Sequence, residues 1–161
     1  MDDAATKLVL DSSEVGAGDV SLVGGKCASL GELFGEFVPK GVRAVDGFST
    51  ISAAYLLHLA TDGLEARLSG LVAACDTNDN HSLKETGRGA RTAVLETPLP
   101  PQVRAALVDG YRRLGARSQQ LNCEVTVRSS ATAEDLPDAS FAVPTGDELR
   151  GVQGEADLSA A

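Results

Sequence analysis

Two glycines followed by a lysine mark the first place where this sequence could do chemistry. Leu22 to Lys26 reads LVGGK, and a helical pattern begins directly after it. Glycine lets the backbone approach a ligand closely, while helix N-terminal N–H groups and a lysine attract an anion. Gly24, Gly25 and Lys26 are therefore a candidate phosphate site. Cys27 stands where a Walker A motif has Ser or Thr, and a glycine turn beside a solvated lysine is the alternative interpretation.

An arginine followed by hydroxyl and acidic residues marks the second place. Residues 127–142 read VRSSATAEDLPDASFA. Arg128 suits bidentate recognition of phosphate, and a surface ion pair is its alternative role. Hydroxyls that could donate to phosphate oxygens follow at Ser129, Ser130 and Thr132. The carboxylates are candidate Mg²⁺ ligands, although acidic loop residues more often face solvent or cap helices; they are Glu134, Asp135 and Asp138.

Composition argues against several other classes of function. The 161 residues include 14 basic and 23 acidic side chains, a formal net charge of −9, so binding to nucleic acid or an anionic membrane is not expected. The 3 cysteines and 2 histidines show no metal-ligand spacing, and buried, unreactive thiols are the simpler interpretation. Long apolar runs and a signal-peptide pattern are absent from the sequence, so we expect a cytoplasmic protein.

Short strands and helices must position these two segments. Apolar spacing predicts helices at 26–37, 52–60, 64–74, 82–96 and 101–116. Strands are predicted at Lys7–Leu10, at Gly47–Ile51 and at 123–128, where Cys123, Val125 and Val127 would share one face. A chain of strands mixed with several helices favours an α+β or α/β fold over a helical bundle.

The same patterns predict which side chains face inward. In the first helix these are Leu30, Leu33, Phe34 and Phe37, at i, i+3, i+4 and i+7. The later helices have inward stripes too: Tyr55, Leu56 and Leu59; Leu64, Leu68, Leu71 and Val72; and Val103, Leu107 and Leu114. A capping box, Ser82-x-x-Glu85, is expected to begin the helix at 82.

Taken in order, the motifs resemble a known family. LVGGKCASLGEL at 22–33, then Gly47-Phe48-x-Thr50, then residues 127–142 are similar to the N-terminal nucleotide-binding region of the phosphoenolpyruvate synthase (pyruvate, water dikinase) and pyruvate phosphate dikinase family. The resemblance implies an α+β fold, the N-terminal part of an ATP-grasp nucleotide-binding domain, and ATP with Mg²⁺ as ligands. It implies that Lys26 and Arg128 contact ATP phosphates. Cofactor binding is thus assigned to Lys26, Arg128, Gly24, Gly25 and Ser129, with no catalytic or metal-ligating residue.

The sequence departs from the family pattern after residue 142. Val143 replaces a family glycine, and Pro144 removes a backbone donor. We therefore expect a partial ATP-binding domain at 1–142 and a divergent tail at 143–161. Neither His58 nor His81 lies in a phosphohistidine-like motif. An apolar face left uncovered by the rest of such a domain would favour self-association.

In the family, pyruvate, ATP and water give phosphoenolpyruvate, AMP and phosphate. Our hypothesis is the ATP-binding portion of such a phosphotransferase, not catalytically complete within these 161 residues. A non-catalytic interaction module that retains the fold is the alternative, and a fragment similar to rifamycin phosphotransferase is another. Titration with Mg-ATP separates the first two.

Overall fold

The computed structural model of the chain describes residues 7–120, 122–132 and, by its backbone, 149–153. Helices and strands follow in the order β1 Val9–Asp11, α1 Val20–Val23, α2 Gly25–Phe37, β2 Phe48–Thr50, α3 Ser52–Leu59, α4 Leu64–Ala73, α5 Asn80–Glu96, α6 Pro101–Ser118, β3 Glu124–Val127 and β4 Leu149–Gln153. Three single turns of 3₁₀-helix lie at Ser12–Glu14, Ala17–Asp19 and Val38–Lys40. This helix-rich mixture confirms the α+β class.

The described strands form two separate antiparallel pairs. In the pair β1–β2, Val9 lies opposite Thr50. In the pair β3–β4, Val125 lies opposite Val152, and the register is irregular between Val125 and Val127. The sequence did not predict β4, which lies in the segment expected to be a divergent tail.

The five predicted helices agree with α2 to α6 to within two residues at each end, whereas the short helix α1 was not predicted. At the start of α5, however, the capping residue differs from the predicted one. Asp79 is its N-cap, and the Asp79 carboxylate accepts the N–H groups of His81 and Ser82 at 3.0 and 3.1 Å. The predicted Ser82–Glu85 capping box is therefore wrong, because the better acceptor lies three residues earlier. Ser82 instead accepts the Asp76 N–H on its Oγ at 2.9 Å.

The predicted inner face of α2 is also wrong. The helix buries Ala28 and Gly31, whereas Leu33 and Phe37 are 47% and 41% exposed. Small residues face inward because a preceding loop crosses the helix at close range: a Cβ at Gly31 would lie 2.8 Å from the Val15 Cβ. A glycine in an apolar helix pattern here marks close approach of the backbone.

The predicted inward-facing residues of α3, α4 and α6 are also only partly buried. On α3, Ala54 is buried while Tyr55 and Leu56 are about three-fifths exposed, so that prediction is wrong. On α4, Leu64 is buried but Val72 is exposed. The described elements leave these outer side chains without a covering layer. The α6 prediction is confirmed for its buried members, Val103 and Leu114; Leu107 is half-buried.

Two small apolar cores lie around the elements that form the site. One joins α1, α2 and the start of α3 through Val15, Val23, Ala28 and Ile51. The other joins α6 to β2 and β3 through Tyr111, Leu114, Cys123, Phe48 and Val125. Tyr111 is only 1% exposed, and its hydroxyl donates to the Cys123 carbonyl oxygen at 2.7 Å. This bond fixes the beginning of β3 on α6.

Ion pairs fasten α6 to the first strand pair. Arg113 Nε and Arg117 Nη1 lie 3.1 and 3.2 Å from Asp11 Oδ2. Arg117 Nε also donates to Asp46 Oδ2 at 2.7 Å, and Arg117 Nη2 donates to the Gly47 carbonyl oxygen at 3.3 Å. The segment that enters β2 is thereby held against the end of α6.

The cysteines are unpaired and differ in burial. Cys123 is buried, as expected from the sequence, while Cys27 and Cys75 are half-buried. In the part of the chain that the structure describes, every helix is too short or too polar to cross a membrane.

Candidate functional site

The glycine pair forms a sharp turn between α1 and α2. Gly24 has φ 81° and ψ 161°, a backbone conformation that is essentially restricted to glycine. Its N–H donates to the Val20 carbonyl oxygen at 2.9 Å and so ends α1, and its own carbonyl oxygen accepts the Ala28 N–H at 3.0 Å within α2. The turn therefore starts α2 at Gly25 and places Lys26 in its first turn, as the sequence predicted.

The segment after β3 lies directly on this turn. The Cys27 N–H donates to Ser130 Oγ at 3.2 Å, across 103 residues of sequence. The Gly25 N–H donates to the Ala131 carbonyl oxygen at 3.4 Å. A Cβ at Gly24 would lie 2.7 Å from the Ser130 carbonyl carbon and oxygen. The two segments singled out from the sequence thus meet at the beginning of α2; we call this contact the junction.

The junction changes one expectation about the helix N-terminus. The sequence pattern directs the first N–H groups of α2 toward an anion. In the structure, Ala131 and Ser130 already accept the N–H groups of Gly25 and Cys27. An anion at the junction would therefore have to rely more on side-chain cations than on these two backbone donors.

Both predicted cations lie beside the junction. Lys26 is exposed, and its neighbours Gly25 and Cys27 make the contacts to residues 130–131. Arg128 is exposed directly after β3, and Ser129 is exposed between it and Ser130. The distance between the charged ends of Lys26 and Arg128 stays a prediction.

Alternation along β3 explains why Arg128 faces outward. Cys123 is buried and Val125 and Val127 are half-buried, while Glu124 and Thr126 are exposed. Successive side chains of a strand point to opposite faces, so residue 128 continues the exposed set. This part of the sequence prediction is confirmed.

A groove of about 1030 Å³ runs along the junction. Its volume is near the upper end of the range typical of small-molecule sites. Apolar and polar side chains both line it; the lining includes Leu30, Phe48, Leu107, Val125 and Val127, with Cys27, Thr50, Arg128 and Ser130. A smaller depression of about 460 Å³ lies between α4 and α5 and contains none of the predicted site residues.

Hydrogen bonding around Asp46 shapes one side of the groove. Asp46, Gly47 and Ser118 line the groove, and Arg117 binds the first two. The hydrogen bond to Asp46 raises the pKa of the Arg117 guanidinium, and Asp11 adds to this effect. Arg117 therefore stays charged and holds this side in place.

The candidate metal ligands fall outside the described residues. Glu134, Asp135 and Asp138 belong to the stretch 133–148, which the structure does not describe. Within the described ranges, no group of three or more His, Cys, Asp or Glu side chains could hold a metal ion. The described residues therefore supply no set of protein ligands for Mg²⁺.

The sequence interpretation missed the capping role of Ser130. It listed this hydroxyl only as a donor to phosphate. A signal was available: Gly24 occupies the N-cap position of α2 and has no side chain, so the first N–H groups of the helix needed acceptors from elsewhere.

Comparison with known proteins gives the site a context. Residues 20–148 match the family described as pyruvate phosphate dikinase, AMP/ATP-binding domain. Phosphoenolpyruvate synthase of Synechocystis sp. is 44% identical over 141 residues, which are 85% of this chain and 17% of the relative. That of Neisseria meningitidis is 45% identical over 124 residues, 77% of this chain and 16% of the relative. That of Escherichia coli is 38% identical over 138 residues, which are 86% of this chain and 17% of the relative.

These matches concern a small part of each relative. The chain spans about one sixth of the length of the proteins that it matches. The matched range includes the Gly24–Lys26 turn, the Arg128 segment and most of the residues that line the groove.

Proposed function

The chain belongs to the pyruvate phosphate dikinase AMP/ATP-binding domain family, and on that premise we propose that its junction is the phosphate end of an ATP site. The observation that carries the proposal is the contact between Gly24 and Ser130. It joins the lysine of the glycine turn to the arginine that follows β3. Two cations from distant parts of the sequence thereby serve one ligand.

The charges of Lys26 and Arg128 support a polyanionic ligand at the junction. Lys26 and Arg128 are both exposed, and both neighbour the junction. The formal net charge of the chain is −9, so two cations beside one junction are a local feature against an acidic background. Arginine and lysine neutralise phosphate charge in phosphoryl-transfer sites. Lys26, Arg128, Gly24, Gly25 and Ser129 remain the proposed binding residues.

Shape supports a nucleoside in the same groove. Its lining includes the apolar side chains of Phe48, Leu30 and Val127. Nucleotide bases are flat and largely apolar on their faces, whereas ribose and phosphate need polar partners. A groove lined by apolar side chains and by an arginine suits both parts of ATP.

Membership of the family is also the basis for proposing a fold class and a reaction. We assign the domain to the ATP-grasp class and propose that it binds ATP together with Mg²⁺. The relatives named above are phosphoenolpyruvate synthases. We propose that the chain supplies the ATP-binding portion of such a pyruvate, water dikinase, and that the 161 residues alone do not complete the reaction.

Calorimetric titration of the 161-residue chain with Mg-ATP tests the proposal. We expect saturable binding of Mg-ATP and at least tenfold weaker binding of adenosine, because the phosphates provide the contacts to both cations. The double variant Lys26→Ala/Arg128→Ala is the matched control and should bind the two ligands about equally. Equal affinity of the wild-type chain for Mg-ATP and adenosine would contradict the phosphate assignment.

The alternative, a non-catalytic interaction module, has one observation in its favour. Leu33, Phe37, Val38 and Val42 are each at least 40% exposed at the end of α2 and just beyond it. Apolar side chains exposed together often mark contact surfaces. Concentration-dependent self-association in analytical ultracentrifugation, combined with no response to Mg-ATP, would favour this alternative.

A further inference from the structure

We infer that Ser130 is a positioning residue of the proposed nucleotide site: its hydroxyl oxygen caps α2 and thereby holds Arg128 beside Lys26. The inference rests on the proposed function. It assigns the Ser130 oxygen to the protein itself, not to the ligand. The sequence alone had left this hydroxyl as one donor among three.

Helix α2 cannot cap its own N-terminus. The residue at its N-cap position is Gly24, which has no side chain to accept a hydrogen bond. The first N–H groups of a helix need acceptors outside the helix. The Cys27 N–H finds one in Ser130 Oγ at 3.2 Å, and the Gly25 N–H finds one in the Ala131 carbonyl oxygen at 3.4 Å. A cap that is usually local is therefore supplied from 103 residues away.

Steric contact fixes the same two segments. Only glycine at position 24 leaves room for Ser130, because a Cβ on residue 24 would lie 2.7 Å from the Ser130 carbonyl oxygen. Residue 130 is thus held by a hydrogen bond through its side chain and by close contact through its backbone. Its freedom to shift relative to the start of α2 is small.

Chain connectivity transmits this restraint to both cations. Lys26 directly precedes the residue whose N–H is capped, and Arg128 lies two residues before the residue that caps it. Hydrogen bonds to phosphate depend steeply on distance and angle. Loss of the cap should therefore weaken the contacts of Arg128 with phosphate even though Arg128 itself is unchanged.

A hydroxyl can donate while it accepts, so the test must distinguish positioning from direct contact. It uses the ¹⁵N-labelled 161-residue chain and two measurements. The first is the chemical shift and hydrogen-exchange rate of the Cys27 amide without ligand. The second is the dissociation constant of Mg-ATP. The variants are Ser130→Ala, Ser130→Thr, Arg128→Ala and the double variant Ser130→Ala/Arg128→Ala.

We expect Ser130→Ala to accelerate exchange of the Cys27 amide at least tenfold and to weaken Mg-ATP at least fivefold. Ser130→Thr, which retains the hydroxyl oxygen, should restore most of both. When Arg128 is already replaced by alanine, Ser130→Ala should reduce the favourable free energy of Mg-ATP binding by less than half of the amount that it costs in the wild-type chain. The effects of residues that act as a unit are not additive. Ser69→Ala, on the exposed side of α4, is the matched control and should change neither measurement.

Three results would overturn the inference. They are an unchanged Cys27 amide in Ser130→Ala, an unchanged affinity for Mg-ATP, and fully additive losses in the double variant, which would place Ser130 on the ligand. If Ser130→Ala does not fold, Ser130→Cys takes its place, because a thiol sulfur is a weaker hydrogen-bond acceptor than a hydroxyl oxygen. Failure of the wild-type chain to bind Mg-ATP is a separate result: it overturns the proposed function and, with it, the positioning role, whatever the Cys27 amide shows.

Discussion

Ser130 lies so close to Gly24 that a Cβ at position 24 would be 2.7 Å from the Ser130 carbonyl oxygen. This contact joins two segments that are far apart in sequence. It also explains why a glycine stands at position 24: the site needs both a positive φ of 81° and the empty space.

Gly24→Ala should destabilise the chain by about 2 kcal/mol or more, because it combines backbone strain with a steric overlap. Urea denaturation followed by circular dichroism measures the change. Gly35→Ala is the matched control on the same helix, since Gly35 is exposed and a Cβ there meets nothing within 4 Å. It should stabilise the chain by roughly 0.5–1 kcal/mol. Similar stabilities of the two variants would contradict the structure at the junction.

Arg128→Ala and Lys26→Ala should each weaken Mg-ATP by about 1.5–3 kcal/mol, roughly 10- to 150-fold, the usual worth of a hydrogen bond to a charged group. Calorimetric titration measures the dissociation constants. Lys40→Ala is the control: Lys40 pairs with Glu36 at 3.0 Å and lies over the Phe37 ring, at the other end of α2. Equal affinities of the three variants would mean that ATP binds elsewhere.

Tyr111→Phe should lower the free energy of unfolding by about 1–3 kcal/mol, because it leaves the buried Cys123 carbonyl without this donor. Thermal and urea denaturation both report the change. Tyr55→Phe serves as the matched control, as Tyr55 is 60% exposed, and its stability should equal that of the wild-type chain. A stable Tyr111→Phe variant would show that β3 is held on α6 by other contacts.

The carboxylate of Glu14 should make stability fall in acid. The Lys7 side chain, which donates a hydrogen bond to it, lowers the pKa of Glu14 below 4.5, and the Asp11 N–H adds to the effect. A lowered folded-state pKa gives stability that is present above the unfolded pKa and is lost as pH falls through the folded one. Glu14→Gln should therefore lose less stability than the wild-type chain as the pH drops below 4.5.

The size of that difference should be less than about 1 kcal/mol, because the pair is exposed to solvent. Urea denaturation across a pH series measures it. Lys7→Met should remove most of the extra loss of stability that the wild-type chain shows in acid. The double variant Lys7→Met/Glu14→Gln should have the same dependence of stability on pH as Glu14→Gln. A wild-type chain and a Glu14→Gln variant with parallel pH curves would contradict the assignment.

The 161-residue chain should form no AMP in a pyruvate-dependent manner. The resemblance to the dikinase family implies phosphoryl transfer through an enzyme histidine, and neither His58 nor His81 lies in a matching motif. Coupled detection of AMP and phosphate, with and without pyruvate, measures the reaction. A full-length family member assayed in parallel is the positive control. Pyruvate-dependent turnover by the 161 residues would contradict their incompleteness.

The sequence predicted local structure well where local physics decides it. Glycine and proline set the ends of α2 and the start of α6, and apolar spacing gave helices to within two residues. Alternation placed Cys123 and the two following valines inward on β3 and Arg128 outward. Motif order alone led to the family that the comparison identifies.

Inward faces were predicted less well, because burial depends on what lies opposite. Leu33 and Phe37 form a regular apolar stripe, yet α2 buries Ala28 and Gly31 instead. The preceding loop approaches α2 so closely that only small residues fit beneath it. Helical periodicity records which residues share a face, and it does not record how near the neighbouring backbone comes.

The tertiary structure alone decided how the two motifs combine. The sequence determined a turn at Gly24, a helix behind it and an outward arginine at residue 128. Only the fold brought Ser130 to the open end of α2, where it satisfies the Cys27 N–H. The physical reason is that a glycine N-cap leaves helix donors without a local acceptor, and the residue that supplies one is chosen by the path of the whole chain.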